Sequence, residues 1–321
     1  MPIIANSTYK KTPRLQFTGD LQTLIPGIFR KVEAVNYQRE RFELPDGDFL
    51  DLDWLAQQNR RLVILTHGLE GNTTRHYIKG PAKLFAQHQW DVLAWNCRSC
   101  SGEMNRLLRM YHHGEIEDID LVIQHALQKY DYDEIALIGY SMGGSITLKY
   151  LGVHGDKLHP KIKRAAVFSV PCDLEESIRI LEAPKNWIYR NRFKRMLSAK
   201  MKIKAAQFPD IIDFKKIKQV KKWEDFDSIF SAPVNGFKST KEFYHQASSI
   251  NYLKGIRIPI LLVNAKNDPI LTPLCSPNEI AKQHDFLFLE MPEIGGHVGF
   301  CIPGDEFAWS EYRALEFIEN S

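Results

Sequence analysis

Residues 61–66 (RLVILT) form a short, uninterrupted apolar run, the pattern of a strand covered on both faces, as in a parallel sheet. Similar runs recur at 90–95, 135–138, 164–170, 258–264 and 286–291. Patterns with helical spacing lie between them, at 77–88, at 116–130, and at Ile146, Leu148, Tyr150 and Leu151; an amphipathic run at 307–318 closes the chain. Ahead of the first buried run, 49–54 (FLDLDW) alternates apolar and polar as a half-buried strand would. Residues 28–35 and 39–44 are expected to pair as strands, with Asp46-Gly47 as a turn, and residues 1–27 read as an arm ending at Pro26-Gly27.

The strand–helix rhythm breaks once. From about 172 to 250 the chain is helical, basic and aromatic, and strands return at 258. This predicts an α/β architecture with a mostly parallel central sheet flanked by helices and a helical insertion over the sheet's C-terminal edge. The expected division is 1–171 (core, first part, with the arm at about 1–27), 172–250 (cap insertion) and 251–321 (core, second part). The cap aromatics are expected to serve both as its own packing core and as the wall of an apolar pocket.

Composition narrows the class. With 44% hydrophobic and 25% charged residues the chain is of ordinary globular make-up, and no apolar run approaches the roughly 18 residues needed to cross a bilayer. The first 17 residues lack an apolar core and a cleavage-like site, so no signal peptide is expected. Five scattered cysteines suit a reducing compartment, and cytoplasm is the expected location. The net charge of +3 conceals an asymmetry: residues 179–223 hold 14 Lys or Arg against three acids, a local +11 that leaves −8 elsewhere. Such a segment suits an anionic lipid surface or a phosphorylated carrier such as acyl-CoA, or is a solvated helical face; nucleic acid is not expected as a partner.

The chemistry centres on Gly139-Tyr140-Ser141-Met142-Gly143, between an apolar strand and a helix. G-x-S-x-G in that setting is a nucleophile elbow. A Cβ at Gly139 or Gly143 would collide where strand and helix meet, and Ser141 is pushed to positive φ with its hydroxyl lifted clear. After the run at 61–66 comes His67-Gly68-Leu69-Glu70-Gly71, where glycines let backbone approach a substrate carbonyl. The amides of Leu69 and Met142 are the expected oxyanion donors, and His67 is expected to orient this loop. Asp268 follows the strand at 258–264, and His297 lies in the glycine-rich loop Gly295-Gly296-His297-Val298-Gly299-Phe300 after the last strand. The order Ser, Asp, His is the one elbow proteins use.

Two other patterns have plainer readings. Cys97 and Cys100 form a C-x-x-C without a second pair at ligand spacing, which favours a loop at a strand end over zinc or redox chemistry. His112 and His113 beside Glu115 could hold a metal, yet loop and cap chemistry before a helix explains them equally well.

With these residues in hand, the chain resembles the α/β-hydrolase superfamily, and within it the family of bacterial YheT-like hydrolases, yeast ethyl ester synthases and related animal lipid hydrolases. The resemblance spans nearly the whole chain: residues 21–26 (LQTLIP), 46–54 (DGDFLDLDW), 67–71 (HGLEG), Tyr111-His112 with Gly114-Glu115, Asn264-Ala265 with Asp268-Pro269, and 295–300 (GGHVGF). Ser99 stands where the family usually has glycine, and Ser145 where asparagine is common. The resemblance implies an esterase, thioesterase or acyltransferase acting on acyl chains.

The expected activity is cleavage of carboxylic esters with an apolar acyl group through an acyl-enzyme on Ser141, His297 and Asp268, without metal or organic cofactor. Acyl-CoA:alcohol acyl transfer or thioester cleavage on the same triad is the alternative. A non-catalytic ligand-binding protein on a hydrolase scaffold is the alternative of another class.

Overall fold

A computed structural model describes residues 3–320; Met1 and Pro2, at the start of the expected arm, and Ser321, at the end of the expected second core part, lie outside the described residues. The strands are β1 (Ile3–Ile4), β2 (Gln38–Glu43), β3 (Phe49–Leu55), β4 (Arg61–Thr66), β5 (Asp91–Trp95), β6 (Glu134–Tyr140), β7 (Ile162–Phe168), β8 (Ile260–Val263) and β9 (Leu287–Glu290). Among the described residues they form one nine-stranded sheet in the order β1-β9-β8-β7-β6-β4-β5-β3-β2. Within this sheet of described residues the β2–β3 and β3–β5 pairings are antiparallel and the others parallel. The helices that bear on the site are α1 (Gly19–Phe29), α2 (His76–Gln87), α3 (Glu117–Lys129), α4 (Met142–His154), α5 (Leu174–Leu181) and α6 (Trp187–Gln207).

The unbroken apolar runs are explained by burial on both faces. In β4, Leu62 and Ile64 enter the core beneath α3 and α4, while Val63 and Leu65 enter the opposite core with Ile78 and Phe85 of α2. Alternate side chains thus go to different cores, and neither face needs polar residues. The closing helix Trp309–Asn320 adds Leu315 and Ile318 to the second core.

The expected strand at 28–35 is absent, and the arm does not end at Pro26-Gly27. Instead α1 runs to Phe29, and β2 pairs with β3 across the Asp46-Gly47 turn, where Gly47 has φ +85°. Thr18 caps α1 by accepting from the Leu21 amide at 3.2 Å, and Pro26 falls in the last turn, where it supplies no N–H to the Gln22 carbonyl one turn back. Val32 and Val35, which read as strand residues, are single side chains buried in the second core.

The 46–54 motif has a structural cause that spacing alone did not reveal. Arg98, after β5, is buried and pairs with Asp46, Asp48 and Asp118 at 2.8, 2.9 and 2.8 Å. One guanidinium therefore ties the β2–β3 hairpin to α3 and to the strand end behind the site. Removing either side of such a pair would strand a buried charge.

Between β7 and β8 the chain leaves the sheet and builds α5, α6 and shorter turns, including Trp223–Phe226 and Thr240–Ala247. Phe214 and Phe226 each pack at a tilt against Phe230, while Phe193, Trp223 and Phe243 face a cavity. Among the described residues no helix is long and apolar enough to cross a membrane.

Candidate active site

The corner between β6 and α4 holds Ser141 at φ +54° and ψ −119°. Two glycines permit it. A Cβ on Gly139 would stand 2.4 Å from the Gly143 oxygen, and one on Gly143 would stand 2.2 Å from the Thr66 oxygen, both far inside contact distance. The strained serine is held by its own amide, which donates to the Phe168 oxygen at 2.9 Å, and by the Gly144 and Ser145 amides, which donate to its carbonyl.

Side chains from three distant segments meet at this corner. His297 Nε2 lies 2.9 Å from Ser141 Oγ, and His297 Nδ1 lies 2.8 Å from Asp268 Oδ2. The second Asp268 oxygen accepts from the Ile270 amide at 3.0 Å. This network sets the tautomer: Nδ1–H donates to Asp268, and Nε2 is left to accept from the serine hydroxyl. Asp268 and His297 are both buried, so solvent competes weakly for these bonds.

The loop bearing His297 is strained and tightly bracketed. Gly295 and Gly296 have positive φ, and so do Val298 and Phe300, which are not glycines. The bracket comes largely from α1. Gln22 Oε1 accepts from the Gly295 amide at 2.8 Å and from Asn267 Nδ2 at 2.9 Å, and Thr23 Oγ1 accepts from the His297 amide at 2.8 Å. Asn267 Oδ1 and Ser169 Oγ accept from the amides of Gly296 and Val298. Sequence reasoning assigned no role to Gln22 or Thr23. Their only signal was membership in the resembling stretch 21–26, since nothing local links an arm to a loop some 270 residues on.

The His67–Gly71 loop abuts the serine: a Cβ on Gly68 would stand 3.1 Å from Ser141 Cβ. His67 is fully buried; its Nδ1–H donates to the Gly68 oxygen at 2.8 Å and its Nε2 accepts from the Cys97 amide at 3.1 Å. Burial lowers its pKa to about 4, so it is a neutral brace between two loops. Among the described residues, the Leu69 and Met142 amides donate to no protein acceptor. Glu70, at φ +55°, pairs with Lys200 of α6 at 2.8 Å and accepts from the Tyr111 hydroxyl. Helix α6 therefore grips the very loop that carries Leu69, a contact with no counterpart in local sequence patterns.

The other candidates make structural contacts, and His113 also lines the cleft beside Ser141. Cys97 and Cys100 are buried free thiols whose pKa values burial raises. His112 packs edge-on against Phe237 and Phe243, and Glu115 pairs with Arg109. Burial depresses the pKa of His112 to about 4 and of His113 to about 3. Ser99 adopts φ +64°, which accounts for glycine as the commoner residue there, and Ser145 donates to the Pro171 oxygen beneath α4.

Two clefts converge on Ser141 and His297. The first, about 770 Å³, runs under α5 and α6 and is lined mainly by apolar side chains, among them Leu174, Ile178, Leu181, Leu197 and Trp223. The second, about 850 Å³, opens between α1 and α6 and is lined by Leu24, Ile28, Tyr77 and Met196 together with Arg75 and Arg192. Leu69, Phe193 and Ile270 border both, at the junction beside the serine.

Comparison with known proteins shows the family and the fold. Residues 57–284 match the family Hydrolase_4, described as serine aminopeptidase, S33. The chain is 32% identical over 289 residues to YheT of Escherichia coli K12, covering 87% of this chain and 83% of that one. It is 30% identical over 309 residues to phospholipase ABHD3 of Mus musculus, covering 93% and 74%. The solved structure of esterase Pf2001 from Pyrococcus furiosus superposes with a TM-score of 0.59 over 98% of both chains at 16% identity, a likeness of fold. The chain thus belongs to the Hydrolase_4 family, beside YheT, and is a carboxylic ester hydrolase built on the α/β-hydrolase fold.

Proposed function

We propose that this protein is a serine esterase that cleaves esters of apolar acyl chains through an acyl-enzyme on Ser141, with the helical segment 172–250 acting as a cap over the site. The observation that carries the reading is the unbroken relay from Ser141 Oγ to His297 to Asp268, at 2.9 and 2.8 Å. Ser141 attacks the acyl carbonyl while His297 takes its proton and then passes it to the leaving alcohol. Asp268 holds the imidazole in the correct tautomer and stabilises its cation. The Leu69 and Met142 amides receive the oxyanion, aided by the positive end of α4. Water, activated by the same histidine, releases the acid.

The first cleft suits the acyl chain because its walls are apolar; the second suits the leaving group because it carries Arg75 and Arg192. An anionic leaving group would fit there, and this favours one further reading, acyl transfer from acyl-CoA to an alcohol. A series of p-nitrophenyl esters of increasing chain length, run beside Ser141→Ala, tests the main reading. The expected loss in kcat is about 10³- to 10⁶-fold with an unchanged melting temperature. Equal rates for the two proteins would overturn it. Free acid without ester from acyl-CoA plus ethanol would dispose of transfer, and failure of a fluorophosphonate probe to label the native protein would favour a binding role.

A further inference from the structure

Helix α6 has two apolar faces. Tyr189 and Met201 are buried against the core side, as expected of a cap helix. The outward face is also apolar in part: Trp187, Ile188 and Ile203 are 56%, 44% and 49% exposed. The exposed positions 188, 192, 195, 199 and 203 fall on one helical stripe by their spacing. Helix α6 contains seven Lys or Arg and no acidic residue. Four of the seven are engaged inward or locally: Arg190 with Glu182, Lys194 with the Val220 oxygen, Lys200 with Glu70, and Lys204 with the carbonyls of Asn105 and Leu107. Among the described residues, Arg192, Arg195 and Lys202 on the outward face make no ion pair. Across the second cleft, α1 ends in Ile28 and Phe29, which are 63% and 71% exposed, and Ile28 and Arg192 line the same opening.

Exposed tryptophan and isoleucine beside unpaired cations, on a helix without acids, is the composition of a segment that lies in a lipid headgroup layer. The indole suits that layer because its body is apolar and its N–H polar. We propose that the rim of the second cleft, formed by Ile28 and Phe29 of α1 and the outward face of α6, docks on an anionic lipid bilayer. The occupant follows from charge complementarity: residues 179–223 carry +11. Docking in this orientation places the cleft that reaches Ser141 against the lipid, so an acyl lipid enters without crossing water. The use made of the surface rests on the esterase reading; the binding itself does not.

The test uses the full chain carrying Ser141→Ala, so that binding is read without turnover. Co-sedimentation compares vesicles of phosphatidylcholine alone with vesicles containing 30% phosphatidylglycerol, at low and high salt. Preferential, salt-sensitive binding to the anionic vesicles is expected, with a blue shift in tryptophan emission that Trp187→Phe removes. Arg195→Glu with Lys202→Glu should weaken binding by about tenfold or more, each surface cation contributing roughly fivefold. Ile188→Asp with Ile203→Asp should weaken it comparably. With Ser141 restored, both double variants should still hydrolyse a short, water-soluble p-nitrophenyl ester at the unmodified rate, which confirms their folding. Equal sedimentation with both vesicle types, or undiminished binding by the variants, would overturn the proposal. So would a dimer in lipid-free solution that Ile188→Asp with Ile203→Asp dissolves, since the stripe would then serve a second copy of the chain. Hydrolysis of the soluble ester together with absent vesicle binding would sink the docking surface and leave the esterase standing.

Discussion

The corner at Ser141 and the helical segment beside it are held by different forces. At the corner almost every backbone donor near His297 has a named acceptor: Gln22, Thr23, Asn267 and Ser169 each receive an amide of the 295–298 loop. Directional bonds with little slack suit a task in which a displacement of about 1 Å costs as much as 100-fold in rate. The covering segment meets the cleft mainly through side chains such as Ile178, Leu181, Leu197 and Trp223, with a few polar anchors of which Lys200 on Glu70 is the most central. Apolar contact is non-directional and tolerates sliding and repacking. On the proposed reading the difference separates reaction from selectivity: one region fixes atoms, the other shapes space.

The strongest challenge to that division is Lys200→Met. The Lys200–Glu70 pair is the ionic contact between the helical segment and the loop bearing Leu69, which also packs against Leu181, Tyr189 and Trp223, and both charged side chains are largely buried. Leaving Glu70 with an uncompensated buried charge should cost about 3 kcal/mol. Urea denaturation would measure the loss, and a fall in kcat beyond it would show that the cover also sets the oxyanion geometry. A stability change near zero would mean that the two regions are independent.

Gln22→Ala sharpens the comparison from the other side. It removes the acceptor for Gly295 and for Asn267, so the loop relaxes while the triad residues remain. We expect kcat to fall about 10- to 100-fold with KM little changed. Steady-state kinetics on a short ester would check this, and a rise in KM alone would place Gln22 with the substrate-binding surfaces.

Acid should act on both regions by a smaller increment per residue. Burial lowers the pKa of His67 to about 4 at the corner, and of His112 to about 4 and His113 to about 3 beneath the cover. The folded state therefore binds fewer protons than the unfolded chain, whose histidines titrate near 6.5, and stability falls as the pH drops below that value toward 4. At pH 5.5 each of these three histidines should cost about 1 kcal/mol. Thermal melts between pH 7.5 and 5 would read the decline, and His113→Phe should flatten it more than a surface histidine replacement such as His245→Gln. A melting temperature constant over that range would refute it.

Much of the core was legible in the chain. Arg61–Thr66 is a strand with the expected limits, and the runs expected at 90–95, 135–138 and 258–264 became strands within a few residues of those bounds. Burial on both faces forces continuous apolarity, and that signal is local. Ser141 was legible because the steric demands of its turn require glycines two positions either side. The arm was misread: Val32 and Val35 look like strand residues, yet they only fill gaps in a core assembled by distant segments.

By itself the amino-acid sequence determined the parallel strands of the sheet's middle and the strained, glycine-flanked corner at Ser141, because the first rest on periodicity and the second on local sterics. Only the tertiary structure decided that α1 braces the histidine loop, that Arg98 gathers three aspartates, and that Lys200 reaches from the cover to Glu70. Those contacts join residues far apart in the chain. Their partners are selected by how the layers stack, which no neighbouring residue encodes.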